Sequence, residues 1–339
     1  MSSGSRLTVA KTARYSVFQQ HGAASLASQH TPKKQTPKIL VGVNYDKEGS
    51  STPPPPPPPP PPPRFPPTER VYMLDTYLMV YEAKVLGVVE DETQGPAVIL
   101  DKTIFHPQGG GQPSDEGNIV CGPSAMKVHK VRDVGGGVIH HYYGAISGSS
   151  FRPPETGQPA SLALDSAKRL RHAALHSAGH AVDRAVVEAV GTGVFSPLKG
   201  YHFDDSPYVE YRGKLPEGLD KEAFIERLNG ELDKVVTADV VTVTKIVDQV
   251  KSKAHDNGAA PSPEERAGEG GRGGGGGGGG GVDKYGAATR IVEVAGLSCP
   301  CGGTHVGSTR ELEGVRATKV KAKKGALRVS YSLVSPRSS

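Results

Sequence analysis

DSAKRLRHAALHSAGHAVDRAVVEAVG, residues 165–191, is the clearest helical text in the chain. Leu170, Ala174, Ala178, Ala181, Val182, Ala185 and Val186 recur at the three- and four-residue spacing that lines one helix face. Asp165 or Ser166 can cap the first turn by accepting a backbone N–H, and Gly191 can end the last one. The text before it reads differently. Residues 71–90, 97–106, 118–120, 126–132 and 138–143 are short β-rich runs, punctuated by Asp75-Thr76, Gly109-Gly110-Gly111 and Gly135-Gly136-Gly137. A small, mostly antiparallel β domain is expected there, over 69–150. After the helix, residues from about Asp220 to Lys234 form a second amphipathic helix with Phe224, Leu228 and Leu232 on one face. Strands are expected at Val240–Val247 and over 289–297, and a final hairpin turns at Lys324-Gly325. Strands and helices mix without a βαβ rhythm, so the fold class predicted is α+β.

Two stretches cannot join a packed core. Pro53 to Pro63 is an unbroken proline run and Gly273 to Gly281 an unbroken glycine run. They read as a stiff spacer and a flexible tether, inside a basic, Pro-rich leader (1–68) and a Gly-rich insert (252–285). The net charge of +5 would suggest a polyanion partner, but it sits in the leader, which has eight Lys/Arg against Asp46 and Glu48. Local basicity remains in Arg316, Lys319, Lys321, Lys323, Lys324 and Arg328, which can neutralise phosphates or simply form a solvated hairpin.

Only three cysteines are present, Cys121, Cys299 and Cys301, which is no disulfide framework and suits a reducing compartment. A cytoplasmic location is therefore expected. The acid-free residues 1–45, with Arg6, Lys11 and Arg14, also resemble a mitochondrial or plastid transit peptide. No stretch approaches the ~20 apolar residues of a membrane-spanning helix, and no membrane partner is expected.

The chemistry concentrates in two places. His176 and His180 stand one turn apart on the long helix, so their imidazoles share a face. Cys301 and His305 repeat the one-to-five spacing in a glycine-rich loop more than 100 residues later. One thiolate and three imidazoles suit tetrahedral zinc (Zn2+). His172, one turn before His176, and Cys299, two residues before Cys301, rank below these four. A metalloprotease is excluded because His176-Ser-Ala-Gly-His180 has no glutamate in the general-base position of H-E-x-x-H.

At this point three motifs carry a resemblance. His176-Ser-Ala-Gly-His180 resembles the HTAxH helix of the AlaX family and of the alanyl- and threonyl-tRNA synthetase editing domains. Pro300-Cys301-Gly-Gly-Thr-His305-Val306 is similar to that family's PCGGTHV loop. The segment from Asp101 through Thr103, Phe105, His106 and Gly109-Gly-Gly-Gln112-Pro113 to Gly117 resembles its D-x-T-x-F-Y-P-x-GGGQP-x-D-x-G segment. Ser177 stands for the family's Thr and His106 for its Tyr. The resemblance implies a β-barrel-like domain followed by an α/β-sandwich editing domain over 151–335, interrupted by the insert. It implies that His176, His180, Cys301 and His305 bind zinc, while Thr103 and Gln112 line an aminoacyl pocket. The implied activity is trans-editing: deacylation of mischarged tRNA(Ala), with serine the expected amino acid and tRNA, not DNA, the partner. Two other readings compete. A non-catalytic zinc module would bind tRNA or a synthetase and leave the ester intact. An aminoacyl-tRNA ligase would need a catalytic core for which no unassigned stretch is long enough.

Overall fold

The computed structural model describes residues 65–146, 151–248, 288–323 and 325–334. The expected insert lies outside these residues, as does the leader up to residue 64. A two-residue strand β1 (Glu69–Arg70) pairs in parallel with β4 (Lys102–Thr103) as a small sheet of its own. The six remaining strands of this region are β2 (Val80–Asp91), β3 (Gly95–Leu100), β5 (Gly117–Cys121), β6 (Ser124–Asp133), β7 (Ile139–Ala145) and β8 (Pro159–Leu164). They close into a barrel in the order β2-β3-β7-β6-β5-β8. Closure removes the unpaired edges that an open sheet would leave. Alternate residues point inward, and Val98, Leu100, Phe105, Ile119, Met126 and Leu162 are fully buried. The sixth strand comes from beyond residue 150, so the barrel runs on to Leu164, directly before the long helix. The 71–90 run contains less strand than its composition suggests. Val71–Met73 is a 3-10 turn with Tyr72 buried, and β2 starts only at Val80.

Helix α1 (Ser166–Val190) starts where Asp165 accepts the Lys168 N–H and stops at Gly191, whose φ is +91°. Asp220 caps α2 (Lys221–Thr237) in the same way. Both helices pack on a four-stranded sheet of order β14-β15-β10-β9, built from β9 (Ser196–Tyr201), β10 (Tyr208–Arg212), β14 (Val315–Lys323) and β15 (Ala326–Leu333). The shared core joins Ala178, Ala181, Val182 and Ala185 to Val209, Tyr211 and Val329. Small side chains on α1 let the sheet approach closely. A second sheet contains β11 (Val243–Asp248), β12 (Ala288–Val294) and β13 (Leu297–Pro300). The strand expected over 289–297 is thus two strands of a hairpin. Ala295 and Gly296 both have positive φ, +54° and +75°, the backbone that a tight two-residue turn requires.

The expected apolar stripe of α1 holds from Ala178 onward but fails in the first turn. Leu170 is 37 % exposed, and the buried position belongs to Arg169 at 0 %. Arg169 forms a buried ion pair with Asp115 (1 % exposed) and also donates to the carbonyls of Thr76 and Ile104. A fixed fork of five donors can serve a carboxylate and two carbonyls at once, which a leucine cannot. That cluster ties the helix to the barrel.

Candidate metal centre and cavity

His176 and His180 project from α1 with their rings stacked, centroids 5.1 Å apart. Cys301 and His305 come from the loop that follows β13, and one ligand atom from each of the four residues lies within 4.8 Å of the others. Cys301 Sγ is 3.5 Å from His176 Nε2 and 3.3 Å from His305 Nε2. The four residues singled out in the sequence are therefore brought together, as a group that could hold a metal ion.

The surroundings test whether a metal fits. Gln112 Oε1 lies 2.7 Å from His176 Nδ1 and also accepts the Thr304 N–H, while Gln112 Nε2 donates to Thr304 Oγ1. A carboxamide oxygen can only accept, so His176 carries its proton on Nδ1 and leaves Nε2 as a lone pair. Ser177 Oγ sits 3.3 Å from His305 Nδ1 and accepts the Val306 N–H. The hydroxyl at this position thus does its work as serine as readily as threonine would. His180 Nε2 is buried and has no hydrogen-bond partner. Partners on Nδ1 and a free Nε2 form the outer shell that metal-binding histidines ordinarily have, and the soft donor set suits zinc.

Burial acts in the same direction. It holds His176 and His305 well below the ordinary imidazole range and lowers His180 to about 4, so all three are neutral ligands at pH 7. Burial also raises the Cys301 thiol. A cation among these groups would oppose that effect and favour thiolate.

The loop is held by its backbone. Arg290 donates through Nη1 to the carbonyls of Cys301 (2.6 Å) and Gly303 (2.9 Å) and through Nε to that of Met73. His305 N donates to Thr76 Oγ1. Gly303 is required by space: a Cβ there would lie 2.1 Å from His176 Cε1 and 2.9 Å from Gln112 Oε1.

Of the two residues expected to line an aminoacyl pocket, Gln112 is joined to the metal cluster and Thr103 is not. Thr103 is fully buried against the barrel, where Oγ1 lies 2.7 Å from His141 Nε2 and accepts the Phe105 N–H. His141 Nδ1 faces the Val98 carbonyl, so Nε2 is its acceptor and the Thr103 hydroxyl is the donor. Replacing Gln112 by leucine should free the His176 ring and weaken metal binding about ten- to a hundredfold, the usual loss for such a partner. Competition with a chromogenic zinc chelator measures this, and unchanged affinity would remove Gln112 from the shell.

Beside the cluster lies a cavity of about 200 Å³ lined by His176, His180, Asp183, Leu198, His202 and Cys301, among others. Gly110 of the triple-glycine turn forms part of its rim, and Gly111 lies so close to β9 that a Cβ would sit 2.5 Å from the Gly200 carbonyl oxygen. His172 and His106 stay outside the quartet. Each has a buried Nδ1 without a partner, and burial lowers His106 to about 4. Cys299 also stands apart, with Sγ 3.7 Å from His180 Nδ1, on the ring edge away from Nε2.

Two cavity residues escaped the sequence reading. His202 stacks on His176 (4.7 Å, 17°) and faces the Tyr331 hydroxyl through Nδ1 (2.7 Å); burial lowers it to about 3. Its ring fills space left free by Gly179 and Gly200. Asp183, one turn after His180, accepts the Tyr211 hydroxyl (2.7 Å), and burial raises it to about 7. Nothing local marks either one. An acid three residues after a helical histidine reads as surface, and His202 sits in an aromatic strand end where Tyr201 stacks on Phe203 and Tyr208.

Known proteins are similar to this chain over most of its length. Residues 73–156 match the family model for tRNA synthetases class II (A). An alanine–tRNA ligase of Korarchaeum cryptofilum is 28 % identical over 79 % of this chain, but only 26 % of the ligase is covered. The chain thus spans about a quarter of that ligase. The alanyl-tRNA editing protein AlaX-M of Methanosarcina barkeri is also 28 % identical, over 79 % of this chain and 99 % of its own length. AlaX-L of Pyrococcus horikoshii is 28 % identical over 78 % of this chain and 57 % of its own length. With the three motifs and this similarity over most of its length, the chain is similar to the AlaX family of alanyl-tRNA editing proteins.

Proposed function

We propose that this protein is a zinc-dependent trans-editing deacylase that hydrolyses the ester of mischarged tRNA(Ala), with seryl-tRNA(Ala) as its substrate. The observation that carries this reading is the placement of three imidazoles and one thiol against a small cavity, with Gln112 of the GGGQP segment bound to the first imidazole. The names of the AlaX-M and AlaX-L relatives support the substrate class. Zinc bound by His176, His180, Cys301 and His305 would supply Lewis acidity toward an ester carbonyl or a water molecule.

The chain's own residues do the rest. An aminoacyl ester is already activated, so the site chiefly has to orient it and admit water. Gln112 and Ser177 fix the imidazoles. Tyr331 donates to the Leu175 carbonyl, so its oxygen accepts from His202 Nδ1 and leaves His202 Nε2 as an acceptor beside the cavity. A deacylation panel of Ser-, Gly- and Ala-tRNA(Ala) tests the reading. Fast loss of serine with alanine retained is the expected result. Metal and tRNA affinity with all three esters intact would instead make the protein a non-catalytic binding module.

Thr103 enters this reading through the resemblance alone. Its donor proton is engaged by His141, so it can select serine only by accepting from the substrate hydroxyl on its remaining lone pair. On that basis Thr103→Val should lower Ser-tRNA hydrolysis by about tenfold, roughly the worth of one hydrogen bond, and Ala-tRNA hydrolysis by less. Equal losses on both substrates would make Thr103 a support of the barrel wall and nothing more.

A further inference from the structure

We propose that Asp183 anchors a cationic amine, namely the free α-ammonium group of the aminoacyl ester, and that the cavity thereby rejects esters whose amine is acylated. The inference rests on the deacylase reading and adds to it a recognition element that the metal cluster does not provide.

Asp183 stands on α1 three residues after His180, which puts it on the metal-facing side of the helix. It is the only carboxylate among the residues lining the cavity. Its side chain keeps 23 % of its surface, so it is enclosed yet reachable. Oδ1 is fixed by the Tyr211 hydroxyl at 2.7 Å. Oδ2 lies 3.7 Å from His180 Nδ1, beyond hydrogen-bond distance. Among the described residues no lysine or arginine forms an ion pair with it. An acid held in one orientation, enclosed, raised by burial and without a cation leaves a place for a positive ligand, which would draw it back to the carboxylate form.

The cavity's chemistry narrows what that ligand is. Leu198, Val209 and Pro197 give apolar walls, and Lys199, which also lines the cavity, forms no ion pair with Asp183, so the carboxylate is the one acidic group a ligand meets there. In an aminoacyl ester the ammonium is one carbon away from the carbonyl that must react. Here the carboxylate is one imidazole ring away from the ligand cluster. An ammonium on Asp183 would therefore present the ester carbonyl toward the His180 side of the cavity. An N-acylated ester lacks the charge that the carboxylate would pair with. The anchor accordingly separates a mischarged aminoacyl-tRNA from a tRNA carrying a peptide or another N-acylated residue.

The test is binding, which does not depend on turnover. Seryl-adenosine with an amide in place of the ester, and its N-acetyl form, are titrated calorimetrically into the metal-loaded full chain and into Asp183→Asn. Asparagine is isosteric and can still accept from Tyr211. The wild type should bind the free amine roughly ten- to a hundredfold more tightly, the range for a charge-assisted hydrogen bond, and Asp183→Asn should erase the difference. Zinc content and unfolding midpoint of the variant should match the wild type. Equal wild-type affinity for the two forms, no binding of either, or a parallel loss of both in Asp183→Asn overturns the proposal. The first comparison needs no variant, so it stands even if the asparagine chain misfolds. Amine preference without deacylation in the tRNA panel would count against the activity and leave the anchor in place.

Discussion

Arg169→Ala should destabilise the protein by about 3–5 kcal/mol, the range for breaking one half of a buried ion pair. The guanidinium and the Asp115 carboxylate are both out of water, and Asp115 also accepts the His106 N–H at 2.6 Å. Removing the arginine leaves a buried carboxylate with no counter-charge and two carbonyls, those of Thr76 and Ile104, with a donor lost. Urea unfolding should show the loss as a lower midpoint with an unchanged slope. Arg169→Lys should rescue little, because a point charge cannot serve a carboxylate and two carbonyls at fixed angles. The damage should also spread, since the Thr76 hydroxyl receives the His305 N–H. A loss below about 1 kcal/mol would mean that water enters and replaces the guanidinium.

Cys301→Ala or His180→Ala should reduce bound zinc from near one equivalent per chain to near zero. At a free zinc concentration a thousand times the dissociation constant, the accompanying loss of stability is about 4 kcal/mol, because the ion binds the folded chain alone. Gly303→Ala is the more telling variant. It keeps all four ligands, yet its new methyl group would occupy the space of the His176 ring, so zinc should fall here too. Metal analysis after gel filtration reads all three. Unchanged zinc in both ligand variants would end the assignment of the site.

The sequence displayed the ligands because metal chemistry is written in residue type and spacing. Two one-to-five pairs are visible in a string of letters, and the structure needed only to bring them together. Helix limits were legible for the same reason: Asp165 and Gly191 act locally. The barrel was expected from the resemblance, but which strands close it was not legible, because which strands become neighbours is a long-range result. The meeting of β5 with β8, for example, joins Gly117 to Leu164. Arg169 was hidden for another reason. Periodicity assigns the buried face to apolar residues, and it has no means of marking a charge whose partner is 54 residues earlier. Thr103 was legible as a motif position, while the two partners of its hydroxyl, His141 and the Phe105 N–H, were not, because both come from the folded barrel.

The two halves of the ligand set are separated by 125 residues, from His176 to Cys301. At about 5–20 residues per second, a ribosome makes the helical pair roughly 6–25 seconds before the loop pair. During that interval the nascent chain has two histidines one turn apart and no thiol to complete the set. Metal taken up early would be held by half a site and exchange readily, so durable capture has to wait for the last part of the chain. A zinc ion held by this quartet would therefore act as a latch that closes late in biogenesis, and zinc scarcity should then leave complete but unlatched chains more often than half-made ones.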